Sequence, residues 1–357
     1  MTYPRLLAAV LALFTCLGML WVEPAMAGLP PGNAITDPET ILRNALPIQQ
    51  AELQDLQHLL EVTSEDMRAK RWGALQKTVS SSKWRLSSNR ARILDSIPET
   101  SQDQAAGLLD SVADNLLLLE QEVDQQDKEG FISTRRSTLN DIENVEKLLL
   151  GDFPFSIPEE FDALPRLLGR ATVQIKTSKG TIEAIIDGYN APLTGGAFVD
   201  LALKGFYDGL PFNRAEDFYV LQSGDPKGPE IGYLDKKTGK ERHVPLEIMV
   251  PGEREPFYNE TFEDLGLFKA TPMLPFATLG TLGWAHSDKA VDDGSSQFFI
   301  FLYEPELTPA GRNLIDGRNA AFGYVVDGFS ELQALGMNDR ILSIKVIDGA
   351  NRLKQHG

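Results

Sequence analysis

Cysteine is all but missing. The single one, Cys16, lies in the N-terminal segment, so the rest of the chain cannot be a disulfide scaffold and needs no oxidising compartment to fold. Histidine is scarce as well, with four in 357 residues, and no Cys/His cluster or HExxH pattern occurs. A metal centre is therefore not expected, and we expect no cofactor. No Walker loop and no GxGxxG motif is present, which leaves nucleotide chemistry without support. Positive charge is short: 34 Lys and Arg stand against 51 Asp and Glu, a formal net charge of −17. Such a chain repels nucleic acid and anionic lipid, so neither is an expected partner.

Long apolar runs are also lacking, with one exception at the start. Arg5 precedes the apolar stretch Leu6 to Val22, and Ala25-Met26-Ala27 fits the small-x-small rule for signal peptidase. Residues 1–27 are expected to be a signal peptide and Gly28 the mature N-terminus. The rival reading, an uncleaved anchor, suffers from a run that is short for a membrane span. No twin arginine is present, and Thr15 before Cys16 does not favour a lipoprotein site. The exported chain is expected to be soluble, without stable membrane insertion.

Glycine and proline are rare in one half only. Residues 36–150 hold three of each, and residues 151–357 hold 24 glycines and 14 prolines. The first half can therefore build long helices; the second implies short strands and turns. Asp37 can cap a helix that begins at Pro38, with apolar positions Ile41, Ala45, Ile48, Leu53, Leu56 and Leu60. Thr63 with Asp66 can cap a second, which Ser80–Ser82 is expected to bend or interrupt. Ser101 opens a third, with the stripe Leu108, Leu109, Val112, Leu116, Leu119 and Val123, and a fourth spans about Asp127 to Leu150. Residues 36–150 are thus expected to form a four-helix bundle. Residues 151–168 form a linker stiffened by Pro154, Pro158 and Pro165, with Phe153, Phe155 and Phe161 available to dock it on the bundle, the barrel or both.

Residues 169–349 change period. "ATVQIKTSKGTIEAIIDG" reads as a hairpin turning at Lys179-Gly180, and "APLTGGAFVDLALKG" as a helix despite Gly195-Gly196. Strands are expected at Leu210–Phe212, Phe218–Leu221, "TLGWA", "SQFFIFL", "AAFGYVV" and Ile341–Ile347. About eight strands and two helices suggest a closed antiparallel barrel, and the whole chain an α+β two-domain protein. Arg214 and Gln222 flank two of the apolar runs, eight positions apart, which is an odd place for a guanidinium and an amide.

The ordered motifs "APLTGGAFVDLALKGFYDGLPFNR", "LQSGD", "LGWAHS", "GSSQFFIFL" and "DGRNAAFGYVVDG" resemble the cyclophilin family of peptidyl-prolyl isomerases over roughly residues 170–349. With its helical half, the chain resembles the multidomain cyclophilins of cyanobacteria and the thylakoid lumen, in which a PsbQ-like bundle precedes an eight-stranded barrel and which assist photosystem II assembly. The resemblance implies that Arg214 is the catalytic arginine and Gln222 its companion. It places Tyr219, Val220, Gln297, Phe299, Leu314, Ile315 and Asn319 around the substrate's proline, and Ala285 and His286 on the segment that binds the substrate backbone. Leu314 stands where many eukaryotic members carry Trp, and Asn319 where many carry His.

The chemistry suits those residue types. Rotation about an X–Pro bond faces a barrier of about 18–20 kcal/mol from amide resonance. A donor at the prolyl nitrogen stabilises the twisted state, and no nucleophile or metal is required. Arg is always charged and carries a planar fork of donors. The implied partners are proline-containing polypeptides, including photosystem II subunits, with the protein acting as a monomer. The competing reading is a binding module that grips proline-containing loops of a membrane complex without turnover.

Overall fold

A computed structural model describes residues 35–217, 219–226, 228, 231–235, 238–302 and 315–355. The expected signal peptide and cleavage site lie outside the described residues. None of the described helices is long and apolar enough to cross a membrane.

The helical half contains six α-helices among the described residues, not the expected four. They are α1 (Pro38–Asn44), α2 (Ala51–Glu61), α3 (Thr63–Arg68), α4 (Trp72–Asp95), α5 (Gln102–Gln125) and α6 (Lys128–Leu149). Asp37 caps α1, accepting from the Thr40 N–H at 3.0 Å, and Asp127 caps α6 in the same way at Gly130. Two breaks account for the extra helices. Pro47 disfavours helix at the residue before it, so α1 cannot run into α2. Lys70 adopts a positive φ of 54°, which ends α3 before Trp72 opens α4. The expected Thr63 cap is absent: its hydroxyl donates to the Leu60 carbonyl instead, at 2.5 Å. The serine cluster interrupts nothing, since buried Ser82 donates to the Thr78 carbonyl at 2.9 Å, one turn back, and stays inside α4. Leu53, Leu56, Leu75, Val79, Leu116 and Phe131 lie at the centre of the bundle core.

α1 belongs elsewhere. Its Ile41, Leu42 and the adjoining Ala45 are buried in the core of the sheet half, not in that of the bundle. The carbonyls of Leu42 and Ala45 accept from Arg170 Nη2 and from Asn190 Nδ2, the latter at 2.9 Å. Arg170 also donates to buried Asp187 at 2.7 Å and lies 3.6 Å from Glu143 of α6. The two halves are therefore docked, as the linker phenylalanines suggest. Phe161 packs on Tyr258 at 5.0 Å, and Ile157, Phe161 and Leu164 lie against the sheet core, while Phe153 and Phe155 pack on each other at 4.7 Å.

The sheet half has eight antiparallel strands in the order β11-β2-β3-β10-β8-β9-β5-β4. These are β2 (Arg170–Thr177), β3 (Thr181–Asp187), β4 (Arg214–Glu216), β5 (Val220–Ser223), β8 (Thr281–Trp284), β9 (Phe298–Phe301), β10 (Ala321–Asp327) and β11 (Ile341–Asp348). Two small pairs stand apart: β1 (Arg166–Leu167) with β12 (Leu353–Lys354), and β6 (Glu247–Ile248) with β7 (Phe257–Tyr258). The expected closed barrel is not formed: the sheet curls but stays open, and no ladder joins β4 to β11. An isolated bridge between Pro211 and Arg340 spans the gap. Leu210–Phe212 was expected as a strand, yet Pro211 has no N–H for a ladder and β4 is only three residues long, so the seam cannot extend.

Helix α7 (Pro192–Leu203) packs against the sheet, and the short α8 (Phe329–Gln333) follows β10. Rings dominate this core, with Phe198 5.1 Å from Phe298 and 5.2 Å from Phe322. The Gly195-Gly196 pair has a steric reason. A Cβ on Gly196 would stand 2.4 Å from the Pro165 carbonyl oxygen, so only glycine lets α7 touch the end of the linker. Glu247 on β6 caps α7, accepting from the Leu193 and Thr194 N–H groups at 3.0 Å each. Burial pushes that carboxyl up to about 7 despite these bonds.

Candidate active site

The register explains the guanidinium and the amide. Arg214 of β4 pairs with Gln222 of β5, Gln222 with Phe299 of β9, and Phe299 with Gly283 of β8. Registered partners point to one face, so the three side chains stand in a row across the sheet. Glu216, Val220, Phe301 and Thr281 form the next row on the same face. Gly283 supplies room at the end of the first row, because a Cβ there would lie 2.3 Å from the Phe299 ring. Phe276 stacks on Phe299 at 5.6 Å and 13°, and Asp316 holds Phe276 by accepting from its N–H at 2.8 Å. Burial pushes the Asp316 carboxyl up to about 6.

Arg214 is half exposed, and both Nε and Nη2 lie 2.7 Å from Glu216 Oε1. Gln222 donates to Gln297 Oε1 at 2.8 Å, and Gln297 donates in turn to the Ile231 carbonyl at 2.9 Å. The two amides fix each other's orientation. Beside them runs a groove of about 360 Å³, lined by Gln222, Gln297, Ala285 and His286 together with Ile231 and Ser295.

Of the remaining expected site residues, Val220 adjoins the row and the others lie further off. Val220 and Ile315 are buried, and Tyr219 is exposed at the entry to β5 with its ring edge-on to Phe301 at 6.0 Å. The Asn319 amide donates to the Trp284 carbonyl at 3.1 Å and borders a void of about 10 Å³ beside Glu247 and Leu274, apart from the groove. The two nitrogens of His286 face the carbonyls of Ser287 and Arg318, each at 2.8 Å, which gives this histidine a bracing part between two loops. Leu314 lies outside the described residues. Neither Glu216 nor Phe276 was anticipated. Glu216 could have been found, since residues two apart on a strand share a face; Phe276 could not, because it reaches Phe299 from a loop.

The model of the cyclophilin type peptidyl-prolyl cis-trans isomerase matches residues 172–347, and that of the CYP38-like, PsbQ-like domain matches residues 37–150. A Synechocystis sp. protein assigned as a thylakoid lumen peptidyl-prolyl cis-trans isomerase is 46% identical over 351 residues, which is 96% of this chain and 93% of its own. The chain belongs to the cyclophilin-type peptidyl-prolyl cis-trans isomerases. This cyclophilin is also similar to the chloroplastic isomerase CYP38 of Arabidopsis thaliana, at 36% identity over 93% of this chain and 78% of the relative. A peptidyl-prolyl cis-trans isomerase of Synechococcus elongatus matches at 32%, over 49% of this chain and 96% of its own. The helical half and the isomerase half thus occur together in the first two relatives. The family's reaction is the rotation of X–Pro bonds.

Proposed function

We propose that this cyclophilin, after removal of residues 1–27, is an exported folding catalyst of the thylakoid lumen that acts as a monomer on proline-containing segments of photosystem II subunits during assembly. The relatives assigned to the lumen and the chloroplast support the location. In this reading residues 36–150 form the helical domain, 151–168 the linker and 169–349 the isomerase domain. Arg214 donates to the prolyl nitrogen as it becomes pyramidal, and Gln222 holds the neighbouring peptide carbonyl or the guanidinium itself. Phe299, Val220, Tyr219 and Ile315 take the proline ring. Gln297, Ala285 and His286 hold the flanking backbone.

The observation that carries the proposal is the row Arg214–Gln222–Phe299, which sets a donor, an amide and a ring side by side on one face. Burying the proline ring contributes on the order of 1–2 kcal/mol at about 25 cal/mol per Å². Weak binding of that size leaves most of the rate effect to the preorganised donor. A protease-free isomerisation assay on a proline peptide, with wild type beside Arg214→Ala, tests the assignment. Equal rates in the two proteins would remove Arg214 from the mechanism. No rate in either would return the chain to the binding-module reading.

A further inference from the structure

The helical half holds a cavity of about 230 Å³ between α3 and the first turns of α6, remote from the groove in sequence and element. Met67 and Phe131 are buried and make its apolar floor, and Ile132 is partly exposed at its wall. The remaining lining residues are Ser64, Arg68, Lys128 and Arg135: three cations and no carboxylate. In a chain with 51 acidic side chains this is an exceptional lining. Arg71 just before α4, and Lys83, Arg85, Arg90 and Arg92 on it, each hold a carboxylate. Arg68, Lys128 and Arg135 make no ion pair among the described residues.

Two details show cations kept where structure alone disfavours them. Arg135 Nη1 donates to the neutral hydroxyls of Thr63, at 3.2 Å, and Ser64, while its Nε is buried without a partner. Asp37 and Glu61 act on it from a distance without pairing, and a guanidinium drawn out of water with no carboxylate in contact is costly. Lys128 is the first residue of α6, where the helix dipole already presents its positive end.

We propose that this cavity is a second polypeptide-binding site, which takes an acidic segment of a partner protein by seating one bulky apolar side chain on Met67 and Phe131 and pairing the flanking carboxylates with Arg68, Lys128 and Arg135. The volume sets the class of occupant. Pockets that enclose a drug-sized molecule run from about 300 Å³ upward, so this one admits a single side chain and not a whole lipid chain. Clusters of arginine are a recurrent device for acidic motifs. The overall negative charge does not prevent it, because charges more than about 8 Å away are largely screened at physiological ionic strength.

The test is fluorescence anisotropy of the mature chain with a labelled peptide Asp-Glu-Leu-Asp-Gly-Ser, beside Asp-Glu-Ser-Asp-Gly-Ser. The leucine peptide should bind saturably, at least tenfold more tightly than the serine peptide, and lose affinity with added salt. Lys128→Glu should weaken binding at least tenfold while the melting temperature holds or rises, because an acid at that position suits the dipole. Ile132→Ser should also weaken binding, with the helical circular dichroism intact. Both variants should isomerise a short proline peptide at the wild-type rate. The inference is overturned if neither peptide binds, if Lys128→Glu binds as wild type does, or if the serine peptide binds as well as the leucine one. Tighter, Lys128-dependent binding to phosphatidylglycerol vesicles than to the peptide would overturn it in favour of a lipid headgroup site.

Discussion

The two halves hold their buried carboxyl groups differently. In the sheet half, Asp200 is buried yet accepts from Lys204 at 2.7 Å and from Arg242 and Gln355 at 2.6 Å each. Asp187 accepts from Arg170 and Asn190, and Glu247 from the first turn of α7. In the helical half, Glu146 of α6 is wholly buried and neither oxygen has a hydrogen-bond partner, and one oxygen of Glu122 is in the same state, whereas single guanidinium nitrogens without a hydrogen-bond partner occur on both sides, at Arg43 and Arg135 and at Arg170 and Arg242. The sheet half uses its charges as fasteners. The helical half leaves carboxyl groups without partners in a core that aliphatic side chains already hold together. Removing a charge should therefore cost stability on one side of the joint and restore it on the other.

The largest effect is expected at Asp200. Asp200→Leu strands the buried guanidinium of Arg242 and should cost about 3–5 kcal/mol in a denaturant titration; a loss under 1 kcal/mol would break the contrast. Arg214→Ala comes next, with a fall of about 100-fold in kcat/KM, the scale of losing one preorganised donor. Arg214 is half exposed, so the melting temperature should not move.

Glu146→Leu should act in the other direction and with pH. Burial, then the neighbouring Glu143 and Glu61, push the Glu146 carboxyl up to about 8, against the pull of Arg43 and Arg170. Its pKa is higher folded than unfolded, where it is 4.5, so the folded chain holds an extra proton between those values. Stability then falls as pH rises through that window and is flat below it. Glu247 and Asp316, raised to about 7 and about 6, add slopes of the same sign. Glu146→Leu should gain about 1–3 kcal/mol at pH 8 and less at pH 5. Parallel pH profiles for mutant and wild type would show that Glu146 finds a partner in solution.

The smallest effect sharpens the groove. Glu216→Ala frees the Arg214 guanidinium from a surface ion pair worth up to about 1 kcal/mol, so kcat/KM should rise about two- to fivefold. An unchanged rate would mean that substrate displaces Glu216 at no cost.

What the sequence disclosed follows the range of each interaction. The Asp37 cap, the start of the fourth helix near Asp127, the leucine stripes and the hairpin at Lys179-Gly180 are local and were readable. The departures came from tertiary contacts. α1 carries a bundle-like apolar pattern, but Asn190 and Arg170, more than a hundred residues away, claim its carbonyls. Gly195-Gly196 looked like a weak helix until the linker was seen against it. At the site, the motifs marked Arg214, Gln222 and Gln297, yet only register shows that Arg214 adjoins Phe299 by way of Gln222. Asn319 fell in the expected segment and turned to a different cavity, because the Trp284 carbonyl holds its amide.

One clasp bears on the order of assembly. β12, at residues 353–354, pairs with β1 at the end of the linker, and the Leu168 N–H donates to the Arg352 carbonyl at 3.0 Å. Arg352 also donates to the Arg170 carbonyl, on the strand whose side chain grips α1. An emerging chain can fold its bundle early, from neighbours in sequence. The isomerase half waits for residues 341–354, because its outer strand and its clasp are both made there, far from their partners in sequence. The strand that grips α1 is braced by that clasp, so the joint between the halves sets late, and removal of residues 352–354 should loosen α1, some three hundred residues away.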